Sequence, residues 1–217
     1  MEENMNPFKI KVCGITRLKD ALLAARLGAD MLGFVFYEKS PRYLAVAEAR
    51  RIIEKLPATI GKVGVFVEPN LSKMQFAARE LNLDYIQLHG IYNNALVRQL
   101  KNSGYKVIQS FHVENAKDYQ EIWKSVANIV HLDNKTEQTP GGTGRQFNWK
   151  IRPRQKIPNL MLAGGINAKN VAAGIRRFHP LAIDVNSGVE SAPGVKSEVK
   201  LKQFFKLCNK LRYGAKN

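Results

Sequence analysis

The sequence predicts an α/β protein whose 217 residues close into a single (β/α)8 barrel of the TIM type. Three observations carry that prediction. Eight short apolar runs recur along the chain, beginning 22 to 32 residues apart. Several are apolar at consecutive positions, as in Leu32-Gly33-Phe34-Val35-Phe36 and Val63-Gly64-Val65-Phe66-Val67, which marks strands covered on both faces. The stretches between them place apolar residues three or four apart, the spacing of amphipathic helices. Parallel strands joined by right-handed crossovers form either an open doubly wound sheet or a barrel, and eight units favour the barrel.

Taken in order, the strands are placed at residues 8–13, 31–37, 62–67, 84–88, 106–111, 128–132, 160–163 and 182–185. After the first comes the helical pattern Leu18, Ala21, Leu22, Ala25, stopped by Gly28. After the second comes Ala49, Ile52, Ile53, Leu56, stopped by Pro57. Glycine and proline at those offsets are helix stop signals. Leu71, Met74, Ala77 and Leu81 follow the third strand, and Tyr119, Ile122, Trp123 and Val126 the fifth. A further helix is predicted over 168–178, and the basic tail sets Val195, Val199, Phe204, Phe205, Leu207, Cys208 and Leu211 at near-helical spacing. Its lysines then form the wet face of a packed helix. Neither a linker nor a fixed-offset repeat divides the chain, so one domain over 1–217 is expected.

Composition narrows the function classes. The chain is 45% hydrophobic, 9% aromatic and 24% charged, enough apolar material for a core and without a disorder signature. No apolar run reaches the ~18–20 residues of a membrane span, and residues 1–10 carry acids where a secretion signal has a positive region. Cys13 and Cys208 are the only cysteines, too few for a disulfide scaffold and without metal-ligand spacing; a cytoplasmic protein with no metal site is expected. The net charge is +16, densest at Lys150–Lys156 and from Lys196 to Lys216. Such a field attracts anions, but no helix-turn-helix, RNP-like strand or GXXG loop accompanies it, so nucleic acid is not the expected partner.

A barrel of this kind carries its site at the C-terminal strand ends. Strand one ends at Cys13, strand two leads to Arg42, strand four to His89, strand six to Asp133 and strand eight to Asp184. Gly164-Gly165 before Asn167, and Asn186-Ser187-Gly188 one strand later, leave backbone N–H groups to face an anion at a helix start. The Gly141-Gly142-Thr143-Gly144 loop, with Gly142 and Gly144, offers a third such cradle. Loops after strands seven and eight are the usual barrel phosphate site, so a phosphorylated small molecule is the expected ligand. Asp133 at the mouth suits a general acid, because burial there favours the protonated form. Arg42 could clamp a carboxylate, and His89 could orient a ligand. Cys13 alone is a weak signal, since a cysteine ending a buried strand is usually a small hydrophobe and only in the minority a catalyst, and Cys208 reads as core.

These segments, together with Lys11-Val12-Cys13-Gly14-Ile15-Thr16, Ser40-Pro41-Arg42-Tyr43, Gln87-Leu88-His89-Gly90 and Asp184-Val185-Asn186-Ser187-Gly188-Val189-Glu190, resemble the phosphoribosylanthranilate isomerase family over almost the whole chain. The resemblance implies an Amadori rearrangement of N-(5-phosphoribosyl)anthranilate in tryptophan biosynthesis, without metal or organic cofactor, by a monomer or homodimer. It places the family's catalytic cysteine on Cys13, its catalytic aspartate on Asp133 and its anthranilate-contacting arginine on Arg42. Phosphate contacts fall on Gly142, Gly144, Gly164, Gly165, Asn186, Ser187 and Gly188, with His89 and Asp184 as further substrate contacts. Two departures stand out. Asn186 replaces a usual Ser, and Arg145-Gln146-Phe147-Asn148-Trp149 replaces Lys-Thr-Phe-Asp-Trp. The histidine-pathway isomerase performs the same rearrangement with a carboxylate where this chain has Cys13. A non-catalytic phosphate- or RNA-binding barrel is the alternative from outside enzymology.

Overall fold

The computed structural model describes residues 8–67, 70–90, 93–133, 151 and 153–213. Eight parallel strands follow one another around a closed barrel: β1 (Lys9–Val12), β2 (Met31–Val35), β3 (Gly61–Phe66), β4 (Tyr85–Leu88), β5 (Lys106–His112), β6 (Ile129–Asp133), β7 (Leu160–Leu162) and β8 (Ala182–Val185). The seam is made by β1 on β8, with Lys11 opposite Asp184. Every one of the eight lies within two residues of the bounds expected from the apolar runs.

The helices are α1 (Leu18–Leu27), α2 (Val46–Ile53), α3 (Leu71–Glu80), α4 (Asn94–Asn102), α5 (Tyr119–Trp123), α6 (Val171–Phe178) and α7 (Glu198–Tyr213) among the described residues. Gly28 ends α1 as expected, at φ 105°, the left-handed region open to glycine. The Asn70 and Asn93 side chains accept from backbone N–H groups at the starts of α3 and α4, satisfying donors that a helix start leaves without partners.

Strand alternation divides the barrel into inside and outside. Met31, Val63, Ile108, Ile129, Met161 and Ala182 pack together as an apolar floor inside. The alternate positions, among them Ile10, Val12, Leu32, Phe34 and Ile86, join the larger core between strands and helices. Above the floor the interior turns polar, and that change positions the site. Among the described residues, no helix is long and apolar enough to cross a membrane.

Four expectations need correction, and one helix was not foreseen. The helix after β7 opens at Val171 rather than residue 168, because Asn167 and Asn170 bind each other and Gly165 in a turn first. Helix α4 was not foreseen as a pattern, since only Val97 and Leu100 of its nine residues are buried. Val195 lies in a small antiparallel pair, β9 (Glu190–Ala192) with β10 (Val195–Lys196), and not in the terminal helix. Within that helix Val199 is 63% exposed, so the packed face begins at Leu201. Lys196, expected on the wet face, is buried. Cys208 is core, as expected.

Candidate active site

Residues two apart on a strand share a face. Cys13 therefore stands above Lys11, Asp133 above His131, and His89 above Gln87, all on the inward side. The barrel's polar middle is one connected network. Lys11 is fully buried and its Nζ lies 2.7 Å from Asp184 Oδ2. The same carboxylate oxygen is 3.0 Å from His131 Nε2, and His131 Nδ1 is 2.9 Å from the Ser110 hydroxyl. Gln87 donates to that hydroxyl at 3.2 Å. The register dictates these pairs: Lys11 is opposite Asp184, and Ser110 is opposite His131.

Burial works against the Lys11 charge, but Asp184 and Cys13 outweigh it, so the ammonium is held above its ordinary range. Burial likewise opposes the Asp184 carboxylate. Lys11 and the hydrogen bond from His131 win, and its pKa falls below the usual range. An ionised Asp184 only accepts, so His131 donates from Nε2; in the neutral ring, Nδ1 then accepts from the Ser110 hydroxyl.

Cys13 is free and buried. Desolvation pushes its thiol up, Lys11 pulls it down and Asp184 pushes it up again, with a net rise. A β-carbon on Gly33 would come 2.8 Å from Cys13 Sγ and 3.2 Å from Lys11 Cε, so this glycine lets thiol and ammonium sit together against β2. Above, Gly14 at φ +66° faces Arg42 Cδ and Asn186 Oδ1 at 2.6 and 2.7 Å from the position of a β-carbon. Asp133 is half-buried at the end of β6. His89 is buried; desolvation first, then His131, His112 and Lys11, push it down to about 4 against the pull of Asp133.

Arg42 is already engaged. Its Nε and Nη2 donate to the two oxygens of Glu190 at 3.0 and 2.6 Å, and Lys196 donates to Glu190 Oε1 at 2.9 Å. Burial raises the Glu190 carboxyl, but the Arg42 hydrogen bond and the Lys196 charge hold it below its usual range. Lys196 also donates to Asn186 Oδ1 at 2.9 Å. The Asn186 side chain thus ties the strand-eight loop to this cation.

Gly165, Asn167, Ser187, Gly188 and Lys200 line a cleft of about 430 Å³ between the β7 and β8 loops. Gly164 and Gly165 have φ of 78° and 70°, and a β-carbon on Gly188 would meet the Ile166 carbonyl oxygen at 2.0 Å. The close approach of the two loops therefore demands glycine at 188. The Asn167 N–H, expected to face an anion, is taken by Asn170 Oδ1 at 2.9 Å. Gly142, Gly144 and Asn148 lie outside the described residues.

The structure thus gathers Cys13, His89, Asp133 and Asp184 at one end of the barrel interior, with the loop glycines and Arg42 around the rim. Sequence reasoning missed Lys11, His131, Glu190 and Lys196. The signal for the first two was present: each lies two residues before a singled-out residue on the same strand face. Glu190 and Lys196 had no such signal, because they meet Arg42 only through the small β9–β10 pair.

Residues 10–207 match the family model of N-(5'phosphoribosyl)anthranilate (PRA) isomerase. The N-(5'-phosphoribosyl)anthranilate isomerase of Pelobacter propionicus is 40% identical over 206 residues, covering 94% of this chain and 97% of that protein. Monomers of the dimeric phosphoribosylanthranilate isomerase of Thermotoga maritima superpose with a TM-score of 0.80 at 35% identity, over 93% of this chain and 98% of that one. A phosphoribosylanthranilate isomerase in complex with reduced 1-(o-carboxyphenylamino)-1-deoxyribulose 5-phosphate gives 0.80 at 34% identity, with the same coverage of each chain.

Proposed function

The chain belongs to the phosphoribosylanthranilate isomerase family and converts N-(5-phosphoribosyl)anthranilate to 1-(2-carboxyphenylamino)-1-deoxyribulose 5-phosphate in tryptophan biosynthesis; we propose that it does so by acid–base chemistry with Asp133 and Cys13, without metal or organic cofactor. Asp133 donates a proton to the furanose ring oxygen. The C1–O bond breaks, and the nitrogen lone pair forms a C1=N iminium. Cys13 as thiolate removes the proton from C2, whose electron pair forms a C1–C2 double bond and neutralises the iminium. The resulting enolamine takes a proton at C1 and loses one from the C2 hydroxyl, leaving the ketone.

The carrying observation is the placement of Cys13 and Asp133 on inward faces at the same barrel end, with the buried Lys11–Asp184–His131 network beneath them. Cys13 needs help to ionise, since burial raises its thiol. Lys11 supplies a fixed positive charge, and the iminium adds a second one when the base is needed. The phosphate occupies the cleft of Gly165, Ser187 and Gly188, with Gly164 and the Asn186 backbone beside it, and Gly142 and Gly144 are further phosphate contacts. Arg42, held by Glu190 along one edge, keeps its Nη1 for the anthranilate carboxylate. His89 and Asp184 complete the wall. Two anchored ends hold the sugar carbon between acid and base.

The barrel works as one domain in the cytoplasm, as a monomer or homodimer. The test is turnover of Cys13→Ala and Asp133→Asn, followed by the fluorescence loss of enzymatically generated phosphoribosylanthranilate. Each substitution should cut the rate by several orders of magnitude in a folded protein, and near-wild-type turnover in either refutes the assigned roles.

A further inference from the structure

Three of the chain's four histidines cluster at the barrel mouth and just beneath it: the His89 ring lies 5.5 Å from His112 and 6.3 Å from His131 between centroids. His89, His131 and Asp133 each offer one ligand atom, and the three atoms lie within 4.8 Å of one another. Donor atoms about 2.0–2.2 Å from a zinc-like ion stand roughly 3–4 Å apart, so small side-chain rotations bring this set to coordinating distance.

Two independent features point to a cation there. First, His89 Nε2 is fully buried without a hydrogen-bond partner among the described residues, although His89 sits among polar groups. A buried imidazole nitrogen with no partner is costly. Second, His131 is already held as a metal-ligating histidine is held. Its Nε2–H donates to the buried Asp184 carboxylate; in the neutral ring this leaves the Nδ1 lone pair to the uncharged Ser110 hydroxyl, its present partner. A carboxylate behind the imidazole fixes the tautomer and raises ligand basicity. Exchanging a hydroxyl for an ion at Nδ1 leaves the Asp184 hydrogen bond intact.

We propose that His89, His131 and Asp133 form a binding site for a divalent transition-metal ion of the zinc class, and that an ion held there switches the isomerase off. Two imidazoles and one carboxylate suit a borderline-soft ion and disfavour magnesium or calcium, which prefer oxygen ligands. The inhibitory half rests on the reading of Asp133 as the proton donor: a carboxylate coordinated to a dication cannot carry a proton to the substrate. The binding half does not depend on that reading. The metal here is a reversible blocker and takes no part in turnover.

The experiment uses the full chain, freed of metal with a chelator, in equilibrium dialysis against zinc chloride with metal analysis of the protein. One zinc per chain is expected, with no comparable uptake of magnesium. His131→Gln and His89→Gln should each weaken binding about tenfold to a hundredfold or more, whereas Cys13→Ala should leave it within about threefold of wild type. Isomerase turnover, measured separately, should fall in step with site filling and return on adding chelator. Absence of a stoichiometric ion, or affinity unchanged in both histidine variants, overturns the site. Full turnover with the site filled overturns the inhibition. A chain that is inactive even without zinc overturns the catalytic reading and with it the inhibitory half, while dialysis still decides the site.

Discussion

Replacing Lys11 with methionine removes a buried charge and keeps the length and most of the volume of its side chain. The charge is worth much in this position. At roughly 4 Å and an effective dielectric constant of about 20, a unit pair is worth about 4 kcal/mol, and relaxation and shared partners bring a realistic figure to about 2–4 kcal/mol. One pKa unit is about 1.4 kcal/mol. Loss of Lys11 therefore lifts an already raised Cys13 thiol further and cuts the thiolate at fixed pH by about thirtyfold to a thousandfold. The same substitution leaves Asp184 buried with only His131 as a partner among the described contacts, a break that typically costs about 3–5 kcal/mol of stability. Urea denaturation at pH 7 measures the second effect. A pH–rate profile of phosphoribosylanthranilate turnover measures the first: the rate should drop by a factor of about 30 to 1,000 at neutral pH and recover as pH rises. A folded Lys11→Met protein with turnover within about threefold of wild type and an unshifted profile refutes the coupling of ammonium to thiolate.

Gly33→Ala puts a methyl group 2.8 Å from Cys13 Sγ. It should displace the thiol, lower turnover about a hundredfold, and cost about 1–3 kcal/mol in a denaturant titration, the usual range for overpacking. Gly188→Ala sets a carbon 2.0 Å from the Ile166 carbonyl oxygen, so the loops must part, and KM should rise far more than the melting temperature falls. Burial pushes the Cys208 thiol up to about 12. Because the folded value lies above the unfolded one, near 8.5 to 9, its contribution is complete below pH 8.5 and is lost as pH climbs from there to about 12. The unfolding free energy should fall by about 2 kcal/mol between pH 8 and 10.5 from this group. In Cys208→Ala that part of the alkaline slope should vanish, and an unchanged slope counts against the assignment.

Strand positions were legible because burial on both faces forces apolar residues at consecutive positions, a signal that survives without any alignment. Cys13, His89 and Asp133 were legible because each closes such a run with a polar side chain. Lys11 and His131 were harder to see: they lie within the runs and read as interruptions of a core strand, although the period of two puts them beneath the residues already chosen. Helix α4 escaped notice because only two of its residues are buried. The engagement of Arg42 by Glu190 was invisible, since residues 148 apart meet only through the folded β9–β10 pair. The small phosphate-loop glycines were found as motifs, but the reason for one of them, a carbonyl where Gly188 would carry a side chain, required coordinates.

Lys11 and Asp184 are 173 residues apart in the chain and touch only across the seam. The ammonium that tunes the sulfhydryl thus meets its counter-ion only after the eighth strand docks. Closing so long a loop is entropically slow, and until the seam closes the first strand's lysine lacks its partner. Catalytic competence should accordingly arrive late in refolding, lagging behind the growth of helical signal. A time course of enzyme activity would then serve as a clock for the final stitch of the cylinder.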